Sequence, residues 1–112
     1  MAELSQREVH DAYQELYNAI TDAYWAASTI QDKDRLMGLS EAVYNILTKL
    51  NADGIRSRSV EYADVREGVN EVNGRLSKLA DDIATIVHRV NVAAQVTNGI
   101  SKALDFSAKF FV

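Results

Sequence analysis

The longest regular pattern in the chain runs from Val65 to Phe111. Its apolar and small positions recur at spacings of four and three: Val65, Val69, Val72, Leu76, Leu79, Ile83, Ile86, Val90, Ala93, Thr97, Ile100, Leu104, Ser107 and Phe111. With Val65 at heptad position d and Val69 at a, the register never slips. The opposite f stripe reads Glu67, Gly74, Asp81, His88, Gln95, Lys102 and Lys109, with no apolar side chain. Two stripes in phase on opposite sides predict one long helix over about 60–111. Its ends agree: Glu61, Asp64, Glu67 and Glu71 stand near the start and Lys102 and Lys109 near the finish, as the dipole of one helix favours. Gly68, Gly74 and Gly99 each cost about 1 kcal/mol relative to alanine. Asn98-Gly99 is the weakest point of that helix.

Two shorter patterns precede it. Ser5-Gln6-Arg7-Glu8 has the form of a capping box. Val9, Tyr13, Leu16, Ile20, Ala23, Ala27 and Ile30 then predict helix 1 over about 6–30. Its g flank is Ala12, Ala19 and Ala26, a small-residue surface on which another helix can approach closely, and its e flank is His10, Tyr17 and Tyr24. The apolar spacing jumps from Ile30 to Leu36. This places a break at Gln31-Asp32-Lys33-Asp34, with Asp32 or Asp34 capping the second helix. Leu36, Leu39, Val43, Ile46 and Leu50 predict helix 2 over about 34–52. It ends at Asn51-Ala52-Asp53-Gly54, where Gly54 suits a left-handed turn. Ile55–Ser59 is a connector in which Ser57 or Ser59 caps the long helix.

These elements predict an all-α fold in one domain, residues 1–112: an elongated antiparallel hairpin or bundle of three helices. The third is about 70 Å long at 1.5 Å per residue. Its flanks are polar around Arg66, Asn73, Arg75 and Asp82, and turn apolar beyond Arg89, with Val96, Ala103 and Phe110 at g. A narrow seam serves one neighbour and a wide one serves more. Apolar surface is therefore left over on helices 1 and 3, to be covered by self-association or by a partner. The residues expected on that partner face are Tyr17, Tyr24, Trp25, Val87, Val96, Phe106, Phe110 and Phe111. The alternative is a compact bundle in which helix 3 bends near Gly74 or Gly99 and folds back.

Composition narrows the function. The chain has 112 residues, neither proline nor cysteine, and 12 basic against 16 acidic residues, for a net charge of −4. A net negative charge argues against a general nucleic-acid binder. The lack of cysteine rules out disulfides and thiolate metal sites. The N-terminal residues are polar and no apolar run approaches the roughly 20 residues of a membrane span, so the expected compartment is the cytoplasm, with signal-less export left open. His10 and His88 belong to no Glu-x-x-His or His-Glu-x-x-His pattern. No phosphate loop or nucleophile elbow is present. No catalytic, metal or cofactor residue is assigned, and no cofactor or small-molecule substrate is expected. Arg56, Arg58 and Arg66, with Arg75 nearby in sequence, give the connector end a positive character that suits an anion or an acidic partner. The resulting expectation is a non-enzymatic protein–protein interaction module of the chaperone, antitoxin, immunity or assembly-subunit type, binding itself or another protein. A membrane-active helical protein, or nucleic-acid binding through the arginine tip, is the alternative.

Overall fold

Helix starts follow the local sequence closely at the N-terminus. In the computed structural model, which describes residues 4–51 and 54–111, Ser5 Oγ accepts from the Glu8 amide at 3.1 Å and Glu8 Oε1 accepts from the Ser5 amide at 3.1 Å. The capping box therefore forms, and it opens α1, Gln6–Ala26. α1 stops earlier than its apolar spacing implies, because Ala27 turns to an extended conformation (φ −70°, ψ 145°). Thr29, not Asp32 or Asp34, then caps α2, Ile30–Leu50, its side chain accepting from the Asp32 amide at 3.1 Å. Of the expected helix 2 ending, Ala52 and Asp53 lie outside the described residues, as does Val112. Gly54 does adopt the left-handed conformation (φ 64°), but as the lead into a short 3-10 turn, Ile55–Ser57, rather than directly at the helix end. Neither Ser57 nor Ser59 caps the third helix: Ser57 Oγ donates to the Gly54 carbonyl and Ser59 is already helical.

The long third helix does not form. The chain makes α3, Ser59–Ile86, and after three residues α4, Val90–Phe110, so the described residues form four α-helices and not three. The break falls at neither Gly74 nor Gly99; both sit inside unbroken helices. Up to Ile86 the expected stripe is the buried one. Beyond it the buried face shifts by one heptad position, to Val96, Ile100, Ala103, Ser107 and Phe110, while Val90 is exposed. The reason is energetic. A straight helix would leave these side chains without neighbours, whereas folding back covers each at about 1.5–3 kcal/mol for the large ones. The cost is a few helical hydrogen bonds worth about 1 kcal/mol each. The local sequence helps at one position: Val87, which turns extended, is β-branched, stiff in a helix and comfortable in that conformation. Val87 pairs with Ala27 as an isolated antiparallel bridge, joining the two inter-helix turns side by side.

The helices form an up-down-up-down bundle. α1 packs between α2 and α4, and α3 closes the ring against the same two. The longest dimension is 43 Å, the length of α3 alone, in place of a rod of about 70 Å. The radius of gyration of 14.1 Å is close to the roughly 13 Å of a compact chain this size.

The two hairpins repeat one another. Buried residues recur 60 positions apart: Val9 with Val69, Leu16 with Leu76, Ala23 with Ile83, Ala27 with Val87, Leu36 with Val96, Val43 with Ala103 and Leu50 with Phe110. The repeat is unequal in size, since Ala12, Ala19 and Ala23 of α1 stand where α3 has Val72, Leu79 and Ile83. That alanine face admits a close neighbour. A Cβ on Gly99 of α4 would lie 3.3 Å from Leu16 Cδ1 and 3.4 Å from Leu16 Cα.

Polar groups tie the bundle at its seams. Tyr13 Oη donates to Asn73 Oδ1 at 2.7 Å, and Asn73 Nδ2 donates to Ser107 Oγ at 2.9 Å, which links α1, α3 and α4 through the core. Arg35 pairs with Asp82 at 3.0 Å and Lys49 with Asp64 at 2.8 Å between α2 and α3; Lys102 pairs with Glu15 at 3.1 Å between α4 and α1. Three helix ends receive donors from other elements. Lys33 Nζ reaches the Tyr24 carbonyl at 2.9 Å, Gln6 Nε2 the Leu50 carbonyl at 2.7 Å, and Arg56 Nη2 the Phe110 carbonyl at 2.7 Å.

Candidate docking end of the bundle

The two inter-helix turns lie at one end of the bundle, held together by the Ala27–Val87 bridge. Both bridge residues are buried. Around them stand three large apolar side chains that are not: Trp25 in the last turn of α1, Ile30 at the start of α2 and Val90 at the start of α4, exposed to 74%, 74% and 84%. Trp25 continues the exposed stripe of Asp11 and Asn18 along α1, and Ile30 that of Met37 and Tyr44 along α2; Val90 stands in the first turn of α4.

Trp25 is held in place despite its exposure. Its ring meets Tyr24 edge to face at 5.1 Å, and the Lys33 ammonium lies 5.8 Å from the Trp25 centroid and 4.9 Å from that of Tyr24. Lys33 is itself fixed by its bond to the Tyr24 carbonyl. A cation over an indole and a perpendicular aromatic beside it both favour a single ring orientation. The result is a fixed, protruding aromatic, the kind of side chain that anchors protein interfaces.

The residues expected on a partner face separate into two groups. Trp25 is on the surface. Tyr17 and Tyr24 are half-buried, and Tyr17 lies 6.0 Å from Tyr44 beside a shallow groove of about 390 Å³ lined also by Met37 and Ser40. Phe106 and Phe111 are half-buried; the Lys102 ammonium lies 5.6 Å from the Phe106 ring and Tyr62 lies 5.5 Å from Phe111. Val87, Val96 and Phe110, in contrast, are core residues exposed to 2% or less. Their pattern leaves them open for a partner in a straight helix; α4 folding back onto α1 and α3 supplies the cover from within the chain.

The arginines do not converge. The Arg56 guanidinium lies 4.2 Å over the Phe110 ring while it bonds the Phe110 carbonyl, so it closes α4. Arg66 lies 5.7 Å from the Tyr62 ring. Arg58 is exposed at the start of α3, and Arg75 sits further along α3, beside Gly38 of α2. His88 is exposed in the turn, and His10 is half-buried with Nδ1 3.2 Å from Asp11. Among the described residues, no three His, Asp or Glu side chains gather closely enough to hold a metal ion, and no helix is long and apolar enough to cross a membrane.

Ile30 and Val90 are hidden in the sequence because both fit an apolar stripe and so read as seam residues. The local signal is weak: of the β-branched residues at 85–92 only Val87 is extended, and the others are helical. Comparison of the chain with protein-family models, curated proteins and solved structures finds no match.

Proposed function

We propose that this chain is a non-enzymatic helical protein–protein interaction module. It docks through the end of the bundle that carries Trp25, Ile30 and Val90, onto a partner protein with an apolar pocket. The apolar surplus expected on helices 1 and 3 is covered by α4, so the reading rests on one observation: Trp25 is three-quarters exposed and yet fixed by Tyr24 and Lys33. A free monomer gains nothing from holding a large aromatic in water, whereas burying one at an interface centre contributes 2 kcal/mol or more, roughly thirtyfold in affinity.

Trp25 is the only tryptophan, so its emission reports directly on this end of the molecule. Purification from the native host should yield a stoichiometric partner whose addition shifts the emission to the blue and protects it from iodide. Trp25→Ala should weaken that complex by at least about tenfold while leaving helicity unchanged. Tyr44→Ala, on the α1–α2 face, should leave it intact. Equal binding by wild type and Trp25→Ala sinks the assignment.

A further inference from the structure

The junction between α3 and α4 has an unusual pairing of properties. In space it is a tight turn; in sequence it is the middle of a helix. The apolar and polar stripes cross it in register, with Val90 as the next position after Ile83 and Ile86. The turn holds no glycine, proline or asparagine, and no described residue other than Gly54 has a positive φ. Val87 (φ −121°, ψ 118°) and Arg89 (φ −95°, ψ 110°) are extended, conformations from which a helix is reached by ordinary rotation. Nothing marks the start of α4: Arg89 makes no side-chain capping bond. The α1–α2 turn is an internal control. There the apolar spacing breaks, Thr29 caps α2 and Lys33 bonds back to the Tyr24 carbonyl.

We infer that α4 exchanges between two copies of this chain. In the exchanged dimer α3, the junction and α4 form one helix over 59–110, about 78 Å long, and each α4 packs on the α1 and α3 of the other copy. The contacts of α4 with α1 and α3 are kept, because the same residues meet across chains instead of within one; the Ala27–Val87 bridge at the junction is given up. The buried face of α4 is one heptad position from the extension of the α3 face, so a single helix presents both on nearly the same side. The dimer also covers what the monomer leaves open. Its two-fold axis passes through the junction, which brings two copies of the Trp25, Ile30 and Val90 end together. Val90, the most exposed large apolar side chain among the described residues, becomes a seam residue of the joined helix. This goes beyond docking of a foreign protein: the connection is a hinge, and in the exchanged dimer a second copy takes up the end that the monomer offers to a partner.

The absence of cysteine gives a direct test. Glu15 and Lys102 meet across α1 and α4, so Glu15→Cys with Lys102→Cys places one thiol on each side of the exchanged contact. The variant is held at high concentration in urea near its unfolding midpoint, diluted, separated by size, and bridged with a short bis-maleimide. The monomer fraction should link within one chain and the dimer fraction between chains, giving a covalent dimer under denaturing conditions. His88→Ala with Arg89→Ala, both exposed positions, raises helix propensity at the two junctions of a dimer and should tighten dimerisation by roughly tenfold. Three glycines inserted after His88 should leave only monomer with unchanged helicity. A dimer that links only within chains is a side-by-side assembly and overturns the exchange. So does the lack of any dimer with the His88→Ala, Arg89→Ala variant. No foreign protein enters this readout, so its failure leaves the docking reading standing.

Discussion

Tyr13 shows how one residue can serve packing and polarity together. Its ring is fully buried in the core while its hydroxyl donates to Asn73. Burial pushes the phenol above its ordinary value of 10.0. The unfolded chain therefore releases the proton first as pH rises. The stabilisation is complete below about pH 10 and is lost as pH climbs through the folded-state value. Tyr13→Phe lacks that term. Its urea midpoint should be lower at pH 7, by about 1 kcal/mol for the lost hydrogen bond, and should decline less steeply than the wild type between about pH 10 and 11. Parallel declines would mean that Tyr13 ionises in water.

Among elements, α1 and α4 form the closest pair, and two glycines separate packing from propensity. Gly74 in α3 has open space where a Cβ would go, whereas Gly99 in α4 faces Leu16 at 3.3 Å. Gly74→Ala should stabilise by about 0.5–1 kcal/mol through helix propensity alone. At Gly99 the same gain is set against overpacking that costs about 1–3 kcal/mol, so Gly99→Ala should be neutral or destabilising. Thermal melts of the two variants decide this, and equal gains would show that α1 and α4 stand further apart.

The same pair explains what the sequence could and could not convey. Positions 65–86 were legible because a stripe flanked by polar residues has one buried solution, and the capping box at Ser5 was legible because it is local. The turn at Val87–Arg89 was not. The apolar spacing continues through it, and the gain that opposes a straight helix lies in contacts with α1, distant in sequence. Val96 and Phe110 looked like leftover surface for the same reason. Trp25, expected on the partner face, does stand on the surface, because it continues the outer stripe of α1.

At the scale of the molecule, two hairpins related by a 60-residue offset share one core. Three of the four helix ends are secured from elsewhere: α1 by Lys33, α2 by Gln6 and α4 by Arg56. α3 is tied differently: Thr85 donates within the helix to the Asp82 carbonyl at 2.7 Å, and only Val87, just beyond the helix, reaches a distant segment, through its bridge with Ala27. A helix end fastened from a distance cannot fray alone, since loosening it releases another part of the chain as well. Native-state hydrogen exchange should therefore find the last-turn amides of α1, α2 and α4 opening together with the core, and those of α3 exchanging sooner, by small local excursions. Thr85 and Ile86, ahead of that bridge, should be the softest stretch of helical backbone in the protein.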